Sequence, residues 1–175
     1  EAISFCKKRE LRNVVLGNIE KMPFAKQSFD CITALDVLEH VDDFKSLKEI
    51  CRVLRKSGII IATVPAFPQL WSRWDEVLHH KRRYTQKTLK KVLQRNGFRI
   101  VKISYLHSFL FLPVLIIRAV KNLINKNYYP SDFKLSNRVV NYLLENIAKL
   151  EKFLIINARI PFGTSLIVVA QKTNL

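Results

Sequence analysis

Cysteine is scarce in this chain. Cys6, Cys31 and Cys51 stand far apart among 175 residues, each in an apolar or helical context. That excludes a disulfide framework or a cysteine-built metal knuckle and makes a reducing compartment the expectation. Long apolar runs are lacking too. The run from Phe109 to Ile117, interrupted by Pro113, has nine residues, far short of the ~20 that a helix needs to cross a bilayer. There is no initiator methionine, signal peptide or targeting tract, so the expectation is a fragment of a longer protein. Acidic residues are few: 14 Asp and Glu stand against 30 Lys and Arg, a formal charge of +16. The imbalance is one-sided, because residues 1–60 carry 11 basic against 9 acidic side chains and residues 61–175 carry 19 against 5. Such an excess favours an anionic partner, and charge alone leaves nucleic acid, an acidic membrane surface and a phosphorylated substrate open.

What is present is enough chain for one domain with a sizeable core. Residues 2–9 read as the end of a helix, 13–17 as a short buried strand, and Asn18 to Gln27 as a loop in which Pro23 opposes regular structure. Residues 30–35 form a strand that ends in the ionisable cluster Asp36, Glu39 and His40. Asp42 or Asp43 caps a helix with Phe44, Leu47, Ile50, Cys51 and Leu54 on one face, and Gly58 stops it. The unbroken apolar run Ile59 to Val64 predicts a central parallel strand covered on both faces. This strand-helix-strand unit places the cluster at a strand's carboxyl end, where open α/β sheets bind their ligands.

Pro65 to Tyr84 is a long irregular segment holding both tryptophans. Thr85 caps a helix with Leu89, Val92 and Leu93 inward, closed by Gly97, and strands follow at 98–104 and 165–170. A helix over about 135–156 carries Leu135, Val139, Val140, Leu143, Leu144, Ile147, Leu150 and Leu154 on one broad face. The run 109–117 has three readings: packing against that helix, docking on an anionic membrane through neighbouring Arg118 and Lys121, or a dimer interface.

The segments Gly17 to Phe24, Phe29-Asp30, Asp36 to Val41, Arg52 to Gly58 and Val64-Pro65 together resemble the second half of a class I S-adenosylmethionine-dependent methyltransferase. The nearest group has the signatures acid-x-x-LPF, FD, LEHV and RVLKPGG. The resemblance covers about residues 1–104 and the final strand. It implies an α/β, Rossmann-like sheet, mostly parallel with one antiparallel strand, incomplete at its amino end. Residues 13–17, 30–35, 59–64, 98–104 and 165–170 would be its third to seventh strands. The chain is then a single incomplete domain, 1–175, with a helical, apolar and basic insertion at 105–160 before the last strand. The first two strands, the glycine-rich turn and the ribose-binding acid would lie upstream.

The resemblance implies S-adenosylmethionine as cofactor. Asn18, an aspartate in the family, would accept a hydrogen bond from the adenine amino group, and Ile19 would lie on the ring. Ala34, Leu35 and Asp36 would line the methionine moiety. Other roles stay open for Asn18, as a turn residue bonding its own backbone, and for Asp36, as a brace for the next turn. His40, a helical turn beyond Asp36, is the candidate catalytic base, since neutral imidazole accepts a proton near pH 7; a structural histidine is the alternative. Glu39 is expected to brace a basic neighbour or face solvent.

A second cluster follows the fifth strand: Trp71, Trp74, Asp75, His79, His80, Lys81, Arg82, Arg83 and Tyr84. Guanidinium grips phosphate or carboxylate by paired bonds and tryptophan offers an apolar platform. Trp71, Trp74, His80, Arg82, Arg83 and Tyr84 are therefore the candidate substrate-binding residues, against a solvated basic loop with one tryptophan as a core plug. The cluster resembles the W-S-x-x-D…H-x-R-R-Y-T segment of methyltransferases of bacterial cell-envelope glycan and lipid pathways. No metal is expected, because His79 and His80 face different ways in an extended loop and spacing places no third ligand.

The expectation is a methyltransferase acting on a small anionic, phosphorylated, glycan-bearing or lipid-linked acceptor. It would be cytoplasmic and peripheral at the inner face of a membrane, with a homodimer open and the chain alone inactive. A quinone or aromatic-ring methyltransferase is the nearest alternative. A nucleic-acid-binding module, short of any reading element, or a non-catalytic relative are the others.

Overall fold

The computed structural model describes residues 2–124 and 138–173. In chain order the elements are α1 (Ala2–Lys8), β1 (Phe29–Leu35), α2 (Asp43–Val53), β2 (Leu54–Pro65), α3 (Arg73–Val77), α4 (Gln86–Arg95), β3 (Phe98–Leu106), α5 (Ser108–Ile124), α6 (Arg138–Asn157) and β4 (Ser165–Lys172). The four strands form one sheet in the order β1-β2-β4-β3. β1 and β2 are parallel, with Ile32 opposite Ile60 and Ala34 opposite Ala62. β4 enters between β2 and β3 antiparallel to both. The fold is thus a Rossmann-like mixed sheet with a helical insertion before its last strand.

One face of the sheet is sealed. Ala34, Ile60, Ala62, Val64, Leu166, Val168 and Ala170 point from alternate strand positions into a core shared with Leu47 and Ile50 of α2 and Leu89 and Leu93 of α4. Each helix is cut to length by local chemistry. Asp42 caps α2 by accepting the Lys45 amide, and Thr85 caps α4 by accepting that of Thr88, so donors with no partner inside the helix are satisfied. At the far end of α2, Lys172 Nζ donates to the Cys51 and Leu54 carbonyls at 2.6 and 2.7 Å, a cation where the helix dipole favours one.

Three expectations are corrected. Residues 13–17 form no strand: Val15 and Leu16 are exposed, and among the described residues β1 is an edge strand with nothing paired on its outer side. The second face of β2 is not sealed, because its neighbours Cys31, Thr33 and Leu35 on β1 are exposed and Ile59 and Ile61 are only half-buried. An apolar run reports that a face can be covered, not that the cover is at hand. α2 ends at Val53, before Gly58, because Leu54 already takes an extended conformation and pairs with Phe29; Phe44 is exposed on the helix's outer side.

The helix expected at about 135–156 is present as α6, and its broad apolar face lies largely exposed. Leu135 lies outside the described residues, and Leu143, Ile147, Leu150 and Leu154 are exposed, as are Leu112 and Ile116 of α5. The pair is tied to the sheet at few points: the buried Glu151 carboxylate accepts the His107 and Ser108 amides and the Ser108 hydroxyl at the start of α5, and Lys102 reaches the Ile156 carbonyl at 2.8 Å. No helix among the described residues is long and apolar enough to cross a membrane.

The chain returns to β4 through Gly163, where any Cβ would strike the Leu106 carbonyl oxygen. Gly163→Ala is expected to shift backbone at the β3–β4 junction and lower the unfolding free energy by about 1–3 kcal/mol, read as a reduced urea midpoint with an unchanged slope.

Candidate acceptor and cofactor site

β1 ends in a tight turn that sets the first wall of the site. The Asp36 amide lies 3.1 Å from the Thr63 carbonyl and 3.0 Å from Thr63 Oγ1, and the Thr63 hydroxyl donates back to Asp36 Oδ1 at 3.0 Å. This closed exchange with β2 holds Asp36 at a positive φ of 51°, which turns the chain off the sheet edge. Ala34 is buried and Leu35, one residue on, is 57% exposed. The chain then dives inward: Leu38 and Glu39 are fully buried while His40 surfaces again.

Glu39 is not in solvent, and the basic group beside it is the neighbouring His40 ring. Its carboxylate is 0% exposed and neither oxygen has a hydrogen-bond partner. Burial, with the charge of Asp36 adding and the residue's own backbone amide and the charge of Arg83 opposing, pushes its pKa up to about 7. His40 Nε2 stands 4.0 Å from Glu39 Oε1, too far for a hydrogen bond.

The second wall is the segment between β2 and α4, and a buried aspartate organises it. Ser72 and Asp75 make a capping box at α3, with the Ser72 amide and hydroxyl donating to Asp75 Oδ2. The same carboxylate accepts Arg83 Nε at 2.7 Å and Nη2 at 3.1 Å, and its Oδ1 lies 2.9 Å from His80 Nδ1. Burial raises the Asp75 pKa, but the bonds from Arg83 and His80 outweigh it and hold the group below the ordinary range. Arg83 spends another donor on the Ala66 carbonyl at 3.0 Å. Arg82 pairs with Asp43 at 2.7 Å, and the buried Tyr84 hydroxyl lies 2.8 Å from Asp43 Oδ2 and 3.2 Å from the Leu38 carbonyl.

The two walls meet. The Lys81 amide donates to the Glu39 carbonyl at 2.7 Å, and the His40 and His80 rings stand edge to face with centroids 4.7 Å apart. Of the substrate-binding candidates, His80 is thus brought to His40, and Trp71 is exposed beside the start of α3. The donors of Arg82, Arg83 and Tyr84 described above are directed at the protein itself, and Trp74 is half-buried. His79 is exposed, at a φ of 57°.

The residues expected to hold the cofactor are brought to the same end of the sheet. The stretch after Asn18 runs along α2 from its amino end: Glu20 Oε1 accepts the Asp42 amide, Glu49 accepts the Met22 amide, and Arg52 bonds the Phe24 carbonyl. Asn18 Oδ1 accepts the Glu20 amide at 2.8 Å, the turn-forming role; a carbonyl keeps a second lone pair for an adenine amino group. Ile19 packs against the core, and exposed Leu35 offers an apolar lip. These groups fit one wall of an S-adenosylmethionine site.

Asp75 is the residue that sequence reasoning undervalued. Ser72-x-x-Asp75 at helix spacing is a legible capping signal, but nothing in it says that Asp75 also takes Arg83 and His80. Replacing Arg83 by alanine is expected to leave a buried charge partly uncompensated and to cost about 3–5 kcal/mol of stability. Arg83→Lys should recover only a minor part, because an ammonium cannot reproduce the fork that spans both Asp75 oxygens. Urea midpoints of the two variants check this.

Residues 1–62 match the family model described as methyltransferase domain. The chain is 31% identical over 125 residues to an uncharacterized protein of Methanocaldococcus jannaschii, covering 70% of this chain and 53% of that one. It is 30% identical over 100 residues to an O-methyltransferase of Aspergillus nomiae, covering 53% and 44%. The chain therefore spans about half the length of the curated relatives it matches. Among solved structures it is similar to an S-adenosylmethionine-dependent methyltransferase from Archaeoglobus fulgidus, with a TM-score of 0.55 at 24% identity over 97% of this chain and 71% of that one. An antiparallel strand inserted beside a parallel pair, with the sequence match on the segment that carries Asn18, Asp36 and Glu39, gives this chain the fold of class I S-adenosylmethionine-dependent methyltransferase domains, the kind of domain whose cofactor is S-adenosylmethionine.

Proposed function

We propose that the protein containing this chain transfers a methyl group from S-adenosylmethionine to a small-molecule acceptor at the carboxyl ends of β1 and β2. The observation that carries the reading is the meeting of the two walls there, with His40 and His80 edge to face. The bound cofactor supplies an electrophilic methyl on a sulfonium. The chain's own residues hold the acceptor in line with it and dispose of the acceptor's proton. Leu35 and Ile19 flank the cofactor, with Asn18 at the adenine end and Asp36 fixing the turn between the two. His40, half-exposed at the mouth, takes the proton of a hydroxyl or amine acceptor in its neutral form.

The acceptor is anionic, phosphorylated, glycan-bearing or lipid-linked in this reading. Support comes from the charge of residues 61–175 and from the exposed Lys81 at the mouth. Since Arg82 and Arg83 bond Asp43 and Asp75, we assign them to positioning the wall and leave Trp71 and His80 to touch the acceptor. Exposed Leu112, Ile116, Leu150 and Phe153 on α5 and α6, in the basic half of the chain, support peripheral docking on an anionic membrane.

In the full-length protein, His40→Asn is expected to lower turnover about 100-fold or more while calorimetry finds S-adenosylmethionine affinity unchanged. Loss of cofactor affinity in step with turnover would instead make His40 structural. Vesicle flotation should favour phosphatidylglycerol over phosphatidylcholine, with the preference fading as salt rises; equal partition would remove the membrane part.

A further inference from the structure

Glu39, His40 and His80 share a feature that methyl transfer does not require. Their ligand-capable atoms all lie within 4.8 Å of one another, although forty residues separate the two histidines. The carboxylate is fully buried with neither oxygen bonded, an arrangement that is costly unless a cation or a proton compensates it. His80 is held through Nδ1 by Asp75 at 2.9 Å. A carboxylate on one ring nitrogen is the arrangement that fixes tautomer and direction in metal-binding histidines and leaves the other nitrogen as the ligand. Asp75 is itself locked by Ser72 and Arg83, so the ring is oriented before anything binds.

We propose that Glu39, His40 and His80 form a binding site for one divalent transition-metal ion. Two imidazoles and one carboxylate suit Zn2+, Co2+, Mn2+ or Fe2+, in contrast to the all-oxygen shells of Ca2+ and Mg2+. At metal–ligand distances of about 2.0–2.2 Å, tetrahedral ligands stand about 3.3–3.6 Å apart, so the observed 4.0 Å between His40 Nε2 and Glu39 Oε1 needs to close by only about half an ångström. Wider pairs need to close by about an ångström. Three protein ligands leave positions for water or an acceptor oxygen. Spacing along the chain hid the set, because the third ligand comes from across the fold, where the Lys81 amide ties the loop to Glu39.

The use of the ion rests on the methyl-transfer reading, and it changes one assignment in it. With a metal bound, His40 is a ligand; a hydroxyl acceptor on the ion is acidified and gives its proton to solvent water, and its oxygen then takes the methyl as the sulfonium carbon–sulfur bond breaks and leaves the neutral thioether. The existence of the site does not depend on that reading. Co2+ titrated into chelator-treated protein should develop a visible ligand-field band that saturates at one equivalent. His40→Asn and His80→Asn should weaken binding at least tenfold, with Glu39→Gln as the buried counterpart, and His79→Asn should leave it unchanged. Far-UV circular dichroism verifies folding, and His40→Asn is the decisive variant because the half-exposed ring can be replaced without opening the core. No saturable band, or the same affinity in folded His40→Asn as in the parent, overturns the proposal. Because Co2+ binding needs neither cofactor nor turnover, its failure leaves the methyltransferase reading standing, and a retained band in a protein that binds no S-adenosylmethionine supports the metal site while removing its assigned use.

Discussion

A single buried carboxylate determines the shape of the acceptor side. Asp75 collects the Ser72 amide and hydroxyl, the His80 ring and the Nε–Nη2 edge of the Arg83 guanidinium. Without it the segment from Pro65 to Tyr84 would be a long basic loop with little to order it. With it, the loop becomes a wall: His80 is aimed, Arg83 reaches back to the end of β2 through the Ala66 carbonyl, and Tyr84 follows on to β2's end and to Leu38. The basic residues here are structure first. That changes how a charge of +16 is understood, because several of its cations are paired inside the fold.

The sheet explains why the site lies where it does. β1 and β2 run parallel, so both carboxyl ends open on the same side, and the Thr63–Asp36 exchange locks their ends together. α2 returns from that side with Glu20 on its first turn, which brings the Asn18 segment beside the turn holding Glu39 and His40. The sealed face carries the core, while the exposed face of Cys31, Thr33 and Leu35 is apolar or neutral surface without cover among the described residues. The stability of this arrangement comes from the sealed face and from polar clasps, since α5 and α6 contribute few contacts to it.

Much of this was legible in the amino-acid sequence. Helix caps at Asp42 and Thr85, the stop at Gly97 and the strands around residues 30–35, 59–64, 98–104 and 165–170 follow local rules, and the structure has them within a few residues. The strand expected at 13–17 failed because a strand exists through its partner, which periodicity in one segment cannot supply. The second face of β2 misled for the same reason: pattern records a capacity for burial, and burial needs a neighbour. Arg82, Arg83 and Glu39 were legible as residue types but not in role. A guanidinium near a cleft serves a ligand or a buried aspartate equally well on paper, and the difference between a solvated glutamate and a sealed one lies in the Leu38 to His40 turn, which no spacing rule encodes.

The acceptor side stands or falls with residues 72–84 being a pre-formed wall. Amide hydrogen exchange of the chain measures this directly. The amides of Asp75, His80, Lys81 and Tyr84, each bonded within the wall or to β2 and Glu39, should exchange as slowly as those of α2, and Arg83→Ala should release them together. Exchange at the rate of an unstructured loop in the unaltered protein would contradict a pre-formed wall.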